Sequence, residues 1–292
     1  MRVRKAVFPA AGWGTRFLPA TKAQPKEMLP LVDKPIIQYG VEEAVAAGIE
    51  QIIIVTSTHK GAIEDHFDLN YELEHLLEEK GDIEMLRQVR AISDLAQVAY
   101  IRQKEQLGLG HAVLMAKDLI GHEPFAVILP DDVVVADRPC IGQLIHAYQQ
   151  THASVIAVME VPSEATGRYG IIASEPTDDP LDHGRLHRVS KLVEKPPPGE
   201  APSNLAVIGR YVLTPKIFDK LEQTQHGADG EIQLTDGIAA LMEEQQVFAY
   251  EFEGTRYDAG TTMGWLKASV EIALTRPDLG TEFRAYLQGL QL

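Results

Sequence analysis

With 292 residues, 45% of them hydrophobic and 24% charged, the chain can bury a core without staples, as one large domain or two small ones. Its single cysteine, Cys140, excludes an intramolecular disulfide and fits a reducing compartment. A net charge of −15 argues against a nucleic-acid partner, which needs a basic surface.

The opening MRVRKAVFPAAG runs straight into a strand-like segment, so no secretory leader is expected. No apolar run approaches the roughly 18 residues of a membrane span. A cytoplasmic protein without a membrane partner is the expectation. The charge is uneven: residues 1–35 carry seven Lys/Arg against two Asp/Glu. One basic segment in an acidic chain suits a small anionic ligand held at one focused site.

Val3 to Ala11 reads as a short buried strand, broken by Gly12 and Gly14. Ile36 to Ala47 has helical apolar spacing, with Gly48 placed to end the helix. Residues 52–57 (IIIVTS) form a β-branched run typical of a strand buried on both faces. Residues 60–96, rich in Glu, Asp and Leu, read as one or two amphipathic helices inserted between strands. The rhythm then resumes. Val98–Arg102 is a strand, His111–Leu119 a helix, Phe125–Leu129 a strand, Ile141–Thr151 a helix and Ser154–Val161 a strand. This alternation predicts an α/β fold with a mostly parallel sheet and helices on both faces. Shorter strands follow in YGIIAS, HRVSKLVEK and LAVIGRYVL, separated by the loop PPPGEAPSN. Gln233–Glu244 and Met263–Thr275 read as helices around a strand at Val247–Phe252. One domain is the simplest account, with a nucleotide-binding part at about 1–160 and a sugar-binding and C-terminal part at about 161–292.

The chemistry concentrates in AAGWGTRFLPATKAQPKEMLP, residues 10–30. A buried strand empties into a Gly-x-Gly turn at Gly12 and Gly14, where backbone N–H groups can approach an anion closely. Arg16 can grip phosphate oxygens in a bidentate way. Lys22 and Lys26 follow, the latter beside Pro25, which helps to aim it. A dinucleotide fingerprint needs a third glycine where Phe17 stands, and no Walker A loop is present. That disfavours an NAD-dependent dehydrogenase. In FAVILPDDVV, Asp131 and Asp132 sit at the carboxyl end of a strand, and hard oxygen ligands there suit Mg²⁺ shared with phosphates. Glu194 and Lys195 are adjacent before Pro196, so they can face one ligand only if the strand ends or bends. The ten histidines show no metal-binding spacing, and no hydrolase triad is supported.

The string at residues 10–30 resembles the signature of the sugar-phosphate nucleotidyltransferases, G-x-G-T-R-x-x-P-x-T-x-x-x-P-K. The resemblance continues through RQKEQLGLGHAV, ILPDDVV, RYGII, VEKP, SNLAVIGRYVL, DGEIQLTD and YDAGT, nearly the whole chain. It implies a Rossmann-like mixed sheet with a smaller C-terminal β/α extension. It also implies Mg²⁺-dependent transfer of a uridylyl group from UTP to glucose 1-phosphate in a homo-oligomer. Residue by residue, it implies that Gln103 and Gly108 meet uracil beside the backbone of Ala10, Ala11 and Gly12, with Glu27 near the base end. Asp131 and Asp258 would hold the metal, with Asp132 supporting. Glu194 would bind glucose hydroxyls and Lys195 the sugar phosphate, with Gly170 and Gly209 letting the sugar lie against the backbone. Arg16, Lys26 and Lys195 would carry catalysis. Glu231 would line the sugar side or begin a helix. Trp13 departs from the smaller aliphatic residue usual in the family. Two alternatives stand beside this reading: a regulatory paralogue that binds without turnover, and a relative using dTTP, CTP or another sugar phosphate.

Overall fold

The apolar run near the N-terminus is a strand because alternate side chains find two different cores. Ala6 and Phe8 pack on one face and Val7 on the other. The computed structural model describes residues 1–177, 184–225 and 230–291. In chain order the elements begin β1 (Lys5–Pro9), β2 (Pro30–Leu31), β3 (Lys34–Pro35), α1 (Ile36–Ala46), β4 (Gln51–Thr56), α2 (Gly61–Phe67), α3 (Tyr71–Lys80), α4 (Ile83–Ser93) and β5 (Gln97–Arg102). They continue with α5 (Leu109–Leu114), α6 (Lys117–Ile120), β6 (Phe125–Ile128), β7 (Asp132–Val135), α7 (Cys140–Thr151), β8 (Ser154–Glu160), β9 (Gly170–Pro176), β10 (Leu186–Glu194) and β11 (Leu205–Leu213). The last are α8 (Ile217–Gln223), α9 (Leu234–Leu241), β12 (Val247–Glu251), β13 (Thr255–Asp258), α10 (Thr262–Thr275) and α11 (Gly280–Gln288).

Among the described residues the main sheet has nine strands, in the order β5-β4-β1-β6-β11-β8-β12-β10-β9. β1 pairs in parallel with β4 on one side and β6 on the other. The chain therefore reverses its direction of winding at β1, and a crevice opens beyond that strand's carboxyl end. β11 runs antiparallel between β6 and β8, so a late strand occupies the middle of the sheet. One core packs α1 and α7 on the sheet through Ile37, Val41, Ile141 and Leu144. The opposite core packs α5, α8 and α9 through Val113, Phe218, Leu221 and Ile238. A separate ribbon pairs β7 with β13 and sets Asp258 opposite Asp132.

Two expectations on helices need correction. Residues 60–96 hold three helices rather than one or two. Side-chain caps start two of them: Asn70 Oδ1 accepts from the Leu73 N–H, and Asp82 Oδ1 from the Met85 N–H. The helix expected at His111–Leu119 is two short ones, α5 and α6.

Candidate active site

Most of the residues singled out in the sequence gather at the carboxyl ends of β1, β5, β6, β10 and β13, around two adjoining cavities. The first, about 540 Å³, is lined by Gly12, Trp13, Gly14, Lys26, Glu27, Gln103, Gly108 and Asp131, among others. The second, about 430 Å³, is lined by Arg16, Gly170, Glu194, Lys195, Gly209 and Asp258, again with Asp131. Asp131 therefore stands on the wall common to both.

The first cavity is built largely from local chain. Gly14 adopts φ 67° at the start of a short turn over Thr15–Phe17, a left-handed conformation natural to glycine. Gly108 has φ 97°, and a side-chain carbon there would come within 2.8 Å of the Ile232 carbonyl oxygen. Only glycine lets these backbones pass. Gln103 is 4% exposed; its amide nitrogen reaches the Gly108 carbonyl at 3.1 Å and His111 Nδ1 at 2.9 Å. With the nitrogen so occupied, the amide oxygen is the group free to serve a ligand. Ala11 joins the lining, its carbonyl held by Ser57 Oγ at 2.9 Å and Gln106 Nε2 at 2.8 Å. Ala10 is fully buried, its N–H spent on Val55, and it lies behind the wall. Glu231, expected on the sugar side or at the start of a helix, lines this first cavity and not the second, and α9 begins at Leu234.

Lys26 and Asp131 meet at the junction, with Glu27 and Asp258 beside them and Lys60 behind. Lys26 Nζ lies 2.6 Å from Asp131 Oδ2. Burial would raise the Asp131 carboxyl, but the ammonium outweighs it and holds Asp131 below the usual carboxylate range. Burial equally opposes the charge on Lys26, yet Asp131 and Glu27 carry its ammonium above its ordinary value. Lys60 Nζ reaches Glu27 Oε2 at 2.7 Å. There burial wins over Lys60 and raises the Glu27 carboxyl. Asp258 Oδ1 and Asp131 Oδ2 both lie against Gly260: a side-chain carbon there would lie 3.2 Å from the first and 2.7 Å from the second.

The second cavity is assembled across the chain. Lys195 has φ 42° directly after β10, a strained conformation for a residue with a Cβ. That bend turns Lys195 back beside Glu194, 3.5 Å from Nζ to Oε1, so neighbours in sequence line the same space. Asp132 braces the floor. Its Oδ2 accepts the Gly209 N–H at 2.7 Å and its Oδ1 accepts Arg256 Nε at 2.9 Å. Burial raises the Asp132 carboxyl, opposed by Arg256. Arg256 also donates to Tyr169 Oη at 3.2 Å. Below them the fully buried Arg210 is bidentate to Glu43, at 3.0 and 2.7 Å, and donates to the Leu129, Gly209 and Asp132 carbonyls. Gly209 is enforced by packing, since a side-chain carbon there would meet Leu129 Cβ at 2.6 Å. Sequence reasoning missed Arg210, Arg256, Lys60 and Gln106. Arg210 stands inside a motif it had used, SNLAVIGRYVL, and Arg256 directly before another, YDAGT, but only a nearby residue of each had drawn a role.

Residues 5–274 match the family described as nucleotidyl transferase. The chain belongs to that family. Among its relatives, a UTP–glucose-1-phosphate uridylyltransferase of Bacillus subtilis is 58% identical over 290 residues, covering 99% of this chain and 97% of that protein. The nucleotidyl transferase fold is shared with a UTP-bound UGPase from Acinetobacter baumannii, at a TM-score of 0.90 and 45% identity, over 99% of this chain and all of that one. A UDP-glucose pyrophosphorylase crystallised with UDP-glucose is similar at a TM-score of 0.85 and 43% identity, over 94% of this chain and 100% of the other.

Proposed function

We propose that this enzyme transfers a uridylyl group from UTP to glucose 1-phosphate, giving UDP-glucose and pyrophosphate. The observation that carries the reading is Asp131 on the wall between a glycine-rich cavity and a Glu194–Lys195 cavity, with Lys26 beside it. The names of the relatives and the UTP and UDP-glucose bound to the similar structures support the substrate choice.

In this reading the first cavity takes the nucleotide. Gln103 and Gly108 face uracil, with Glu27 near the base end, and Gly12 and Gly14 bring the backbone to the phosphates. Trp13, 71% exposed at the rim, tightens the mouth or stacks on the ligand. Glu194 binds glucose hydroxyls and Lys195 holds the sugar phosphate, with Gly170 and Gly209 beneath the ring. A phosphate oxygen of glucose 1-phosphate bonds to the α-phosphorus of UTP as the bond to the β-phosphate oxygen breaks, and pyrophosphate leaves with that electron pair. Two polyanions must meet for this. Arg16, Lys26 and Lys195 offset their repulsion, and fixed positioning supplies much of the rest.

The paired carboxylates of Asp131 and Asp258 suit a hard divalent cation. Among the described residues no group of three or more His, Cys, Asp or Glu side chains forms a closed metal cage, which fits Mg²⁺ completed by substrate phosphates and water. When bound, Mg²⁺ neutralises phosphate charge. The two parts of the chain act as one domain, a reading supported by β11 lying mid-sheet. Homo-oligomers and a cytoplasmic setting belong to the same proposal. Exposed Met263, Leu266 and Tyr286 on the last two helices support the first, and the lone buried thiol of Cys140 supports the second. No helix among the described residues is long and apolar enough to cross a membrane.

Pyrophosphate release with glucose 1-phosphate, measured against UTP, dTTP, CTP, ATP and GTP with an EDTA control, tests the whole reading. Metal-dependent release led by UTP is expected. A different leading nucleotide would overturn the base assignment, and folded protein that binds UDP-glucose without turnover would overturn the enzyme.

A further inference from the structure

The contact between Lys26 and Asp131 spans 105 residues of sequence and sits where the nucleotide and sugar cavities join. Both side chains are largely enclosed, at 24% and 27% exposure. The oxygen that Lys26 holds, Asp131 Oδ2, is also the one nearest Gly260, across which Asp258 approaches. An ammonium therefore occupies the carboxylate oxygen best placed to bind a divalent ion. Two cations crowded on one oxygen would repel strongly in a partly dry site. A metal arriving alone has to displace the ammonium and strand it near buried Glu27 without a full partner. A triphosphate in the adjoining cavity changes that, because it offers the ammonium new oxygens within reach of the same flexible stem. Arg168 caps Asp258 in a similar way, at 3.3 Å, but its side chain is 60% exposed and water screens the pair.

We propose that Lys26 is the resident counter-ion of the metal site, holding Asp131 until a nucleoside triphosphate draws the ammonium away, so that metal and triphosphate load together. The proposal rests on the reading of Asp131 as a metal ligand. It assigns Lys26 a task before chemistry, in addition to meeting phosphates during it. By linkage, whatever the triphosphate does to metal affinity through Lys26, the metal does to triphosphate affinity.

The test measures Mn²⁺ binding to the full chain without nucleotide, following free Mn²⁺ by its electron paramagnetic resonance signal. Mn²⁺ shares the oxygen preference of Mg²⁺. Wild type should bind weakly and Lys26→Met about tenfold more tightly, the scale of one well-placed ion pair. Lys26→Arg, which keeps a cation, should stay near wild type. Adding Asp131→Asn to Lys26→Met should abolish the gain. Arg16→Met removes a like charge from the same cleft without a contact to Asp131, and should leave affinity within about twofold. Equal affinity in wild type and Lys26→Met, or an equal gain in Arg16→Met, would overturn the proposal. If Lys26→Met proves unfolded by its thermal transition, Lys26→Gln takes its place. No Mn²⁺ bound by any variant, while wild type still makes UDP-glucose, would remove the metal role of Asp131 and this proposal with it but leave the proposed reaction standing.

Discussion

The two sides of the cleft are built by opposite strategies. Around the first cavity, residues between Ala11 and Glu27 and between Gln103 and Gly108 supply most of the lining, and positive-φ glycines let the backbone itself border the space. Around the second cavity, Gly170, Glu194 with Lys195, Gly209 and Asp258 come from separate elements, fixed by a buried ladder of charge: Glu43 to Arg210, and Asp132 to Arg256. A local site needs only its turn chemistry to form. A scattered site needs a rigid frame, and here that frame is ionic, so it is costly to break from one end.

The sharpest test of this division is kinetic. Lys26→Ala and Lys195→Ala should each lower kcat by about 10²–10³-fold, the loss typical of one transition-state charge donor. KM should rise chiefly for UTP in the first and for glucose 1-phosphate in the second. Matching KM changes for both substrates in both variants would merge the two sides into one. The next effect is on stability. Arg210→Met leaves the Glu43 carboxylate buried and unpaired, and urea unfolding should show a loss of about 3–5 kcal/mol. Pairing it with Glu43→Leu should restore most of that. An undiminished loss in the double variant would mean the frame acts through its carbonyl contacts instead.

Glycines separate the strategies further. Gly209→Ala should cost about 1–3 kcal/mol, since the new carbon collides with Leu129 and Asp132. Gly14→Ala asks for a left-handed backbone and brings the new carbon to 3.1 Å from Lys26 Cβ, a milder approach, and should cost about 1–2 kcal/mol. A reversed order in thermal unfolding would contradict the packing account of Gly209. The smallest effect lies outside both sides, at His66 on α2. Burial lowers the pKa of its ring from 6.5. The unfolded chain then takes up the proton first, so stability falls as pH drops through 6.5 toward the lowered folded value. His66→Gln should flatten that part of the pH–stability curve, and an unchanged slope would exclude His66 as its source.

The sequence by itself determined the alternation of strands and helices, because apolar periodicity and β-branched runs are local signals that burial then rewards. It also carried the glycine turn at the cleft, since Gly12, Gly14, Arg16 and Lys26 stand within one short string. The same reading marked Asp131, Glu194 and Lys195 as chemistry, because charge at a strand end is informative without any partner in view. It left open how Glu194 and Lys195 could line one space, and the left-handed backbone at Lys195 answers that. It passed over Arg210 and Arg256, because an arginine inside a strand reads as a surface residue until its carboxylate partner, 167 or 124 residues away, is brought beside it. The caps at Asn70 and Asp82 went unread for a milder reason, since such residues also form ordinary turns. Tertiary structure alone decided that β11 lies in the middle of the sheet, that Asp131 stands between two cavities, and that Lys26 rests on it. Each depends on long-range pairing, for which a linear pattern holds the hydrophobic and charged pieces but not the distances between them.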